Sequence, residues 1–332
     1  MKRYRSTKSL LATIAAAMLA ITTSWSPARA QDTYPSRQIT LIAPYPPGGV
    51  VDMTARMLAE GLKEKFNQSA IVLNKAGANG MIGLTDLVKA EPDGYTLLLN
   101  NDGGLGIPPA VDPNFKFDPM KDYTPIAQVV QHGWMFIVNS GIPAKTMQEF
   151  IAYAKARPGE MTFGTPGIAT LPHIATELFM LRAGVKMVHV PYKGAAPALT
   201  DLIAGTVKVN VQSVPTALGQ ISNERLKVLA VLNGQRLKEL PNVPIMQESG
   251  LSNFVITSWL GLFGPPRLPA AIRDKISQAV VEIVQQPRFQ EKFRSIGFEP
   301  VSGDAATFGK LYYADVARWK TFANENGIKL SQ

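Results

Sequence analysis

Three stretches of small residues, each set between a β-forming run and a helical pattern, are where this sequence is equipped to hold a ligand. The first, Pro46-Pro47-Gly48-Gly49-Val50-Val51-Asp52, follows the apolar run Ile39 to Ala43. It opens a pattern in which Val51, Ala55, Leu58, Leu62 and Phe66 recur at helical spacing. Glycine lets a main chain approach a ligand closely, and the first N–H groups of a helix are unpaired donors at its positive end. Such a loop suits a carboxylate. A plainer reading covers the same residues: Gly48-Gly49 as a tight turn, and Asp52 as a first-turn acid facing the helix dipole. The second stretch, Thr165-Pro166-Gly167-Ile168-Ala169-Thr170, repeats the design, with a hydroxyl at Thr165 and Thr170 as the expected N-cap. Two such loops on facing domains would grip a small anion from both sides. The third, Gly77-Ala78-Asn79-Gly80-Met81-Ile82-Gly83, has G-x-x-G-x-x-G spacing and not the G-x-G-x-x-G of dinucleotide sites. Neither of the first-domain loops contains Gly-Lys-Ser or Gly-Lys-Thr, which excludes a P-loop.

Other chemistries find little support. Zero cysteines exclude thiol catalysis, disulfides, iron–sulfur clusters and cysteine-based zinc sites. His173 and Glu177 stand four apart on one helix and could share a metal, but no third ligand is evident. A histidine bonded to a neighbour explains them better, so no metal is expected. His132 and His189 read as structural or exposed. There is no H-E-x-x-H and no G-x-S-x-G elbow. Tyr192 and Lys193, in Val190-Pro191-Tyr192-Lys193-Gly194, either reach a cleft or, for Lys193, stand in solvent.

The elements that must position these loops alternate β and α. Strands are expected at 39–43, 70–73 and 95–99, with helices between them, which implies βαβ units and a mostly parallel sheet. The pattern restarts after a long β-rich run from Ile126 to Val138. Strands follow at 161–164, 188–190, 207–211 and 226–232, with helices at 147–156 and after Thr170. A second long β-rich run covers Phe254 to Phe263, and two helices, from Pro269 and from Asp304, close the chain. The two long runs bracket a complete α/β unit, so a second domain (131–253) is expected inside a first (31–130 plus 254–332), with a double-strand hinge. Phe308, Tyr312, Val316, Trp319 and Ala323 give the last helix one apolar face, which reads as core.

The chain has 332 residues, 34 Lys and Arg against 25 Asp and Glu, and a net charge of +9. Residues 1–30 hold five bases and no acid, an apolar run from Leu10 to Ile21, and Ala28-Arg29-Ala30. That is the pattern of a cleavable export signal cut after Ala30; the apolar run is short of the ~20 residues a membrane span needs. Without those five bases the balance is +4, with no long basic cluster, so no nucleic-acid partner is expected. Export also removes the supply of nucleotide cofactors, and none is expected.

The sequence resembles the extracytoplasmic solute-binding proteins of tripartite tricarboxylate transporters, the Bug receptors. The stretches that carry the resemblance are Pro47 to Arg56, Asn74 to Gly80, Asp93-Gly94-Tyr95-Thr96-Leu97-Leu98, Val190 to Gly194, Ala198 to Leu202 with Ala204-Gly205, and Leu240-Pro241-Asn242-Val243-Pro244. They run in the family's order over the mature chain. The resemblance implies a periplasmic-binding-protein-like fold of type II, a Venus flytrap of two α/β domains. It also implies a small carboxylate ligand, delivery to membrane permease subunits, no enzymatic activity, and a monomer. It places Gly48, Gly49 and Asp52 in the first gripping loop, with Tyr45 beside the ligand. Thr165, Gly167 and Thr170 fall in the opposing loop, where Ala169 departs from the usual glycine. Asn79, Gly80, Asn101, Tyr192 and Ser213 complete the candidate set, and Gln212-Ser213 lies where members vary and tune the ligand. Two alternatives remain at this point: an exported hydrolase of the same architecture, and a co-receptor for a membrane sensor kinase.

Overall fold

The computed structural model describes residues 34–112, 115–168 and 170–325, apart from the side chains of Asn79 and Phe322. The expected export signal and Ala169 lie outside the described residues, as does the side chain of Asn79. Among the described residues, those from Arg37 onward form one compact body.

Strand and helix alternate as the sequence predicts. The first half of the sheet uses β1 (Ile39–Ala43), β2 (Ala70–Asn74) and β3 (Thr96–Asn101), joined through α1 (Val50–Phe66) and α2 (Met81–Val88). The second half uses β5 (Met161–Thr165), β6 (Met187–Pro191) and β7 (Val209–Ser213). Between them run α5 (Leu171–Ala183) and α6 (Ala195–Ala204), after the short α3 (Pro108–Val111) and α4 (Met147–Lys155) earlier in the chain, and the short α7 (Val214–Ala217) follows β7. In each half the first strand lies between the second and the third, all parallel. A fourth, antiparallel strand then borders the third: β9 (Thr257–Gly264) on β3, and β4 (Thr124–Asn139) on β7. The orders are β2-β1-β3-β9-β4 and β6-β5-β7-β4-β8, with β8 spanning Leu226–Val231.

β4 therefore belongs to both halves. Its first part, Thr124 to Gly133, pairs with β9, and its second part, Trp134 to Asn139, pairs with β7 and β8. The long β-rich run near residue 130 is this strand. The run near 258 is shorter than its composition suggests. The strand starts at Thr257, because Phe254 and Ile256 turn into the core and the Ile256 N–H is taken by Leu232 O at 2.7 Å.

The described residues close with α8 (Ala270–Gln285), α9 (Pro287–Arg294), β10 (Glu299–Gly303) and α10 (Ala305–Glu325), where the sequence predicts two helices. Pro287 opens α9, where its missing N–H costs nothing, and Phe289 and Phe293 are its buried face. On α10 the expected stripe joins two cores. Phe308 and Tyr312 pack with Trp259 and Phe263, while Trp319 and Ala323 pack with the cluster around Phe136, Phe163 and Phe179. Each such fully buried ring contributes about 1.5–3 kcal/mol. All the parallel strands of a half end on one side, so the loops after β1, β3, β5 and β6 gather at sheet edges where α/β folds hold ligands.

Candidate functional site

The first loop, 44–49, is braced by Asp52 from the first turn of α1. The carboxylate is 4% exposed. One oxygen accepts the Gly48 N–H at 3.0 Å and Arg56 Nε at 3.1 Å; the other accepts Asn74 Nδ2 at 2.9 Å. Asn74 also donates to Tyr45 O at 3.1 Å, so the end of β2 fastens both ends of the loop. Burial works against the charge of Asp52, but the hydrogen bonds from Arg56, Gly48 and Asn74 win and hold its pKa below the usual carboxylate range. The sequence set Asp52 among the ligand-binding residues. It belongs to the loop, but every bond above turns its carboxylate inward, toward the protein. Asn74 was missed as a brace.

Gly48 has φ +84, a conformation that favours glycine, whereas Gly49 is extended at φ −83 and ψ 170. Beyond its chain neighbours, the nearest atom to a Cβ placed on Gly49 would be Pro46 O at 3.8 Å, so the space in front of this residue is open. Tyr45 reaches under the loop. A Cβ on Gly104 would stand 2.6 Å from its hydroxyl, and one on Gly80 would stand 3.4 Å away, so these two glycines are where the ring fits. Burial, with Asp102 nearby, pushes the Tyr45 hydroxyl well up from its ordinary pKa.

After β3 the chain makes a single π turn, Asp102–Gly106, capped by Asn101, whose Oδ1 accepts the Gly104 N–H at 3.1 Å. Asp102 is fully buried. It accepts from the Gly103 N–H at 2.9 Å and from Ser258 Oγ at 3.0 Å, and Ser258 in turn accepts Trp134 Nε1 at 2.9 Å. Burial and the neighbouring Asp315 raise the Asp102 pKa well above the carboxylate range. This chain links the π turn to β9 and β4, and nothing in the local sequence announces it.

The second loop is held by hydroxyls. Thr165 Oγ1 donates to Gly167 O at 3.0 Å and lies 2.6 Å from His189 Nε2, and Thr170 Oγ1 donates to Gly167 O at 2.7 Å. Thr170 occupies the N-cap position of α5, as expected. Its hydroxyl turns back to Gly167 and does not cap the helix, which corrects the expected role. Gly167 has φ +153. His189 stacks with Phe163 at 4.8 Å and with His173 at 4.1 Å, and His173 Nε2 lies 3.6 Å from Glu177 Oε1. Among the described residues no group of three His, Asp or Glu is placed to hold a metal. His132 is buried within β4, where Nδ1 meets Gly133 O at 3.0 Å.

The β6–α6 loop joins the second loop through Tyr192 N–H to Thr165 O at 2.9 Å and Gly194 N–H to Pro166 O at 3.2 Å. The Tyr192 hydroxyl donates to Asp201 Oδ2 at 2.6 Å, which ties it to α6; Lys193 is exposed. Burial and Asp201 push the Tyr192 pKa up to about 12. Ser213 spends its hydroxyl on Thr216 Oγ1 at 2.7 Å.

The two halves meet at these loops. A Cβ on Gly194 would stand 3.7 Å from Pro46 Cγ, and one on Gly103 would stand 3.8 Å from the Leu171 backbone nitrogen. The amino end of α5 thus faces the π turn, and the amino end of α6 faces the first loop. No helix among the described residues is long and apolar enough to cross a membrane.

The family model of the tripartite tricarboxylate transporter family receptor matches residues 54–328. Protein BugT of Bordetella pertussis is 33% identical over 300 residues, covering 90% of this chain and 92% of that protein. The Rhodopseudomonas palustris protein Rpa4515, solved with adipate, superposes with a TM-score of 0.85 at 30% identity, over 89% of this chain and 99% of that one. The periplasmic binding protein BugD superposes at 0.83 with 29% identity, again over 89% and 99%. The fold is that of type II periplasmic binding proteins, two α/β halves joined through shared strands. Matched along nearly all of its described length, the chain belongs to the tripartite tricarboxylate transporter receptor family and is a solute-binding receptor, not an enzyme.

Proposed function

We propose that this receptor closes on a small carboxylate between the 44–49 loop and π turn on one side and the 165–170 and 191–195 loops on the other. It then hands the solute to the permease subunits of a tripartite transporter. The observation that carries this reading is the approach of the two halves at loops that begin helices. The amino ends of α5 and α6 face the first half, and apart from exposed Lys193 these loops contain no basic side chain. A carboxylate there is met by N–H donors and helix dipoles in place of a guanidinium. The adipate of Rpa4515 supports an acid of this kind.

In this reading the gripping positions are Tyr45, Gly48, Gly49, Gly80 and Asn101 on one side and Thr165, Gly167 and Thr170 on the other, with Asn79 and Ala169 beside them. Asp52, Tyr192 and Ser213 act as braces behind the grip. The lobes are 31–130 plus 254–332 and 131–253, and residues 1–30 are an export signal cut after Ala30. The receptor acts as a monomer without a cofactor.

The test is a thermal-shift and calorimetric screen against small mono-, di- and tricarboxylates, after unfolding and refolding to strip carried-over ligand. A solute at about a thousand times its Kd stabilises by roughly 4 kcal/mol, which raises Tm by several degrees. A structure-selective shift among acids supports the reading, and a flat response across the panel removes it. Delivery is tested by uptake of that acid into vesicles with and without the permease.

A further inference from the structure

β7 runs through the middle of the second half, and its residues alternate between two environments. Val209 and Val211 enter the aromatic core with Phe136 and Phe163. Asn210 and Gln212 point the other way. Their register partners on β4 are Ile137 and Met135, which pack with Leu199 and Leu202 of α6. Two amides are thus buried at 0% exposure on an otherwise apolar face. Gln212 Nε2 donates to Ala195 O at 3.0 Å, but Gln212 Oε1 and both side-chain polar atoms of Asn210 have no protein partner. Buried amides without partners are rare, because their lost hydration is not replaced.

The surroundings say what kind of group fits. Across β5 the register neighbour of Asn210 is Gly164, whose lack of a side chain lets Tyr192 and Val207 close in beside the amide. A Cβ on Gly164 would stand 3.2 Å from the Tyr192 ring and 3.6 Å from Asn210 Nδ2. Tyr192 and Val207 therefore cover the Asn210 amide, and Gln212 is tied to the 194–195 loop through Ala195. The unpartnered set is two acceptors and one donor. A second carboxylate is unsuitable, because it would set its oxygens against two carbonyl oxygens. The neighbouring acid, Asp201, is already bonded to Tyr192. A neutral hydroxyl, both donor and acceptor, matches.

We propose that Asn210 and Gln212 form a polar subsite behind Tyr192 that takes a hydroxyl group of the bound acid, so that this receptor prefers hydroxy acids to the same acids without the hydroxyl. The proposal rests on the carboxylate-receptor reading above and adds the residues that select among carboxylates. An O–H in this space comes either from the ligand or from a resident water, and the experiment separates the two.

Calorimetry on the refolded full chain would compare matched pairs, succinate with malate and glutarate with 2-hydroxyglutarate, in wild type, Asn210→Leu and Gln212→Met. The hydroxy acid is expected to bind wild type about tenfold tighter, a difference of 1.4 kcal/mol. Asn210→Leu should erase that advantage while leaving the affinity for the plain acid within about twofold. Gln212→Met, of similar length, gives the same readout should the leucine variant fail to fold. An unchanged hydroxyl advantage in a folded variant, with Tm raised, means a resident water and overturns the proposal. Equal loss for both members of a pair means a structural role and also overturns it. Binding of plain acids with no hydroxyl preference in wild type removes the subsite but leaves the receptor reading standing, whereas no binding of any acid removes both.

Discussion

The two loops proposed to grip the solute share a design and are fastened by different chemistry. In the first half a buried carboxylate, Asp52, collects Gly48, Asn74 and Arg56 around itself. In the second half two threonine hydroxyls and an imidazole do the same work around Gly167. The first brace is a charge-assisted network, and such bonds are roughly twice as strong as neutral ones. The second is neutral throughout and includes a half-buried imidazole, whose charging burial opposes, so it is the one that mild acid strains. Facing loops of similar composition are thus expected to answer differently to mutation and to pH.

The largest effect is expected from Asp52→Ala. It leaves the Gly48 N–H, the Asn74 amide and Arg56 without their acceptor, at a cost of about 2–4 kcal/mol in urea unfolding, with ligand binding lost. Stability within 0.5 kcal/mol of wild type (an ordinary surface change) would erase the contrast between the loops. Gly49→Val comes next and acts on binding alone. Gly49 is already extended with open space before it, so the variant should fold with a Tm near wild type while affinity drops by about a hundredfold through lost close approach. Wild-type affinity by calorimetry would show that nothing docks against this residue. Thr165→Val should cost about 1–2 kcal/mol and loosen binding about tenfold, less than Asp52→Ala because both lost bonds are neutral.

The pH response sharpens the comparison. Burial, helped by the His173 ring, holds the His189 pKa down to about 4, and burial does the same to His132. Both titrate near 6.5 in the unfolded chain. Between those values the unfolded chain binds more protons, so the stability they confer is full above about pH 6.5 and falls as pH drops toward 4. Asp52, whose pKa is lowered, keeps its contribution through this range and loses it only below the carboxylate range. His189→Gln should remove about half of the fall in Tm between pH 6.5 and 4.5, with His132 carrying the rest. A slope untouched by that variant would mean that the second loop is no more acid-sensitive than the first. The smallest effect is on salt dependence. Gripping by N–H groups inside a closed cleft predicts less than about a threefold change in Kd between 50 and 500 mM NaCl, because buried interactions are screened little.

Much of this was open to a reading of the sequence. The alternation of apolar runs and helical stripes gave β1 to β3 and β5 to β8 to within a few residues. Both glycine-bearing loops fell where strand passes into helix. The stripe from Phe308 to Ala323 identified the last helix's buried face. What escaped depends on contacts far apart in the chain. Asn74 lies 22 residues from the carboxylate it braces, and Ser258 lies 156 from Asp102, so no local pattern ties them. Tyr192 finds its partner Asp201 nine residues on, on α6, a bond the turn sequence does not announce. Asn210 and Gln212 sit in Val209-Asn210-Val211-Gln212, an alternation that reads as a half-exposed strand. Only a second layer, α6, turns its polar face inward. The short α9 hid because its charges outnumber Phe289 and Phe293, the single pair that marks its buried side.

The sharing of β4 has a consequence for how the molecule comes apart. A strand whose amino-terminal stretch is laddered into one sheet and whose carboxy-terminal stretch is laddered into another cannot leave either without stripping hydrogen bonds from both. The two lobes are therefore one cooperative unit despite the interleaved chain. Amide exchange along Thr124 to Asn139 should require global opening, and melting should be a single transition in place of the two steps that separable modules would give.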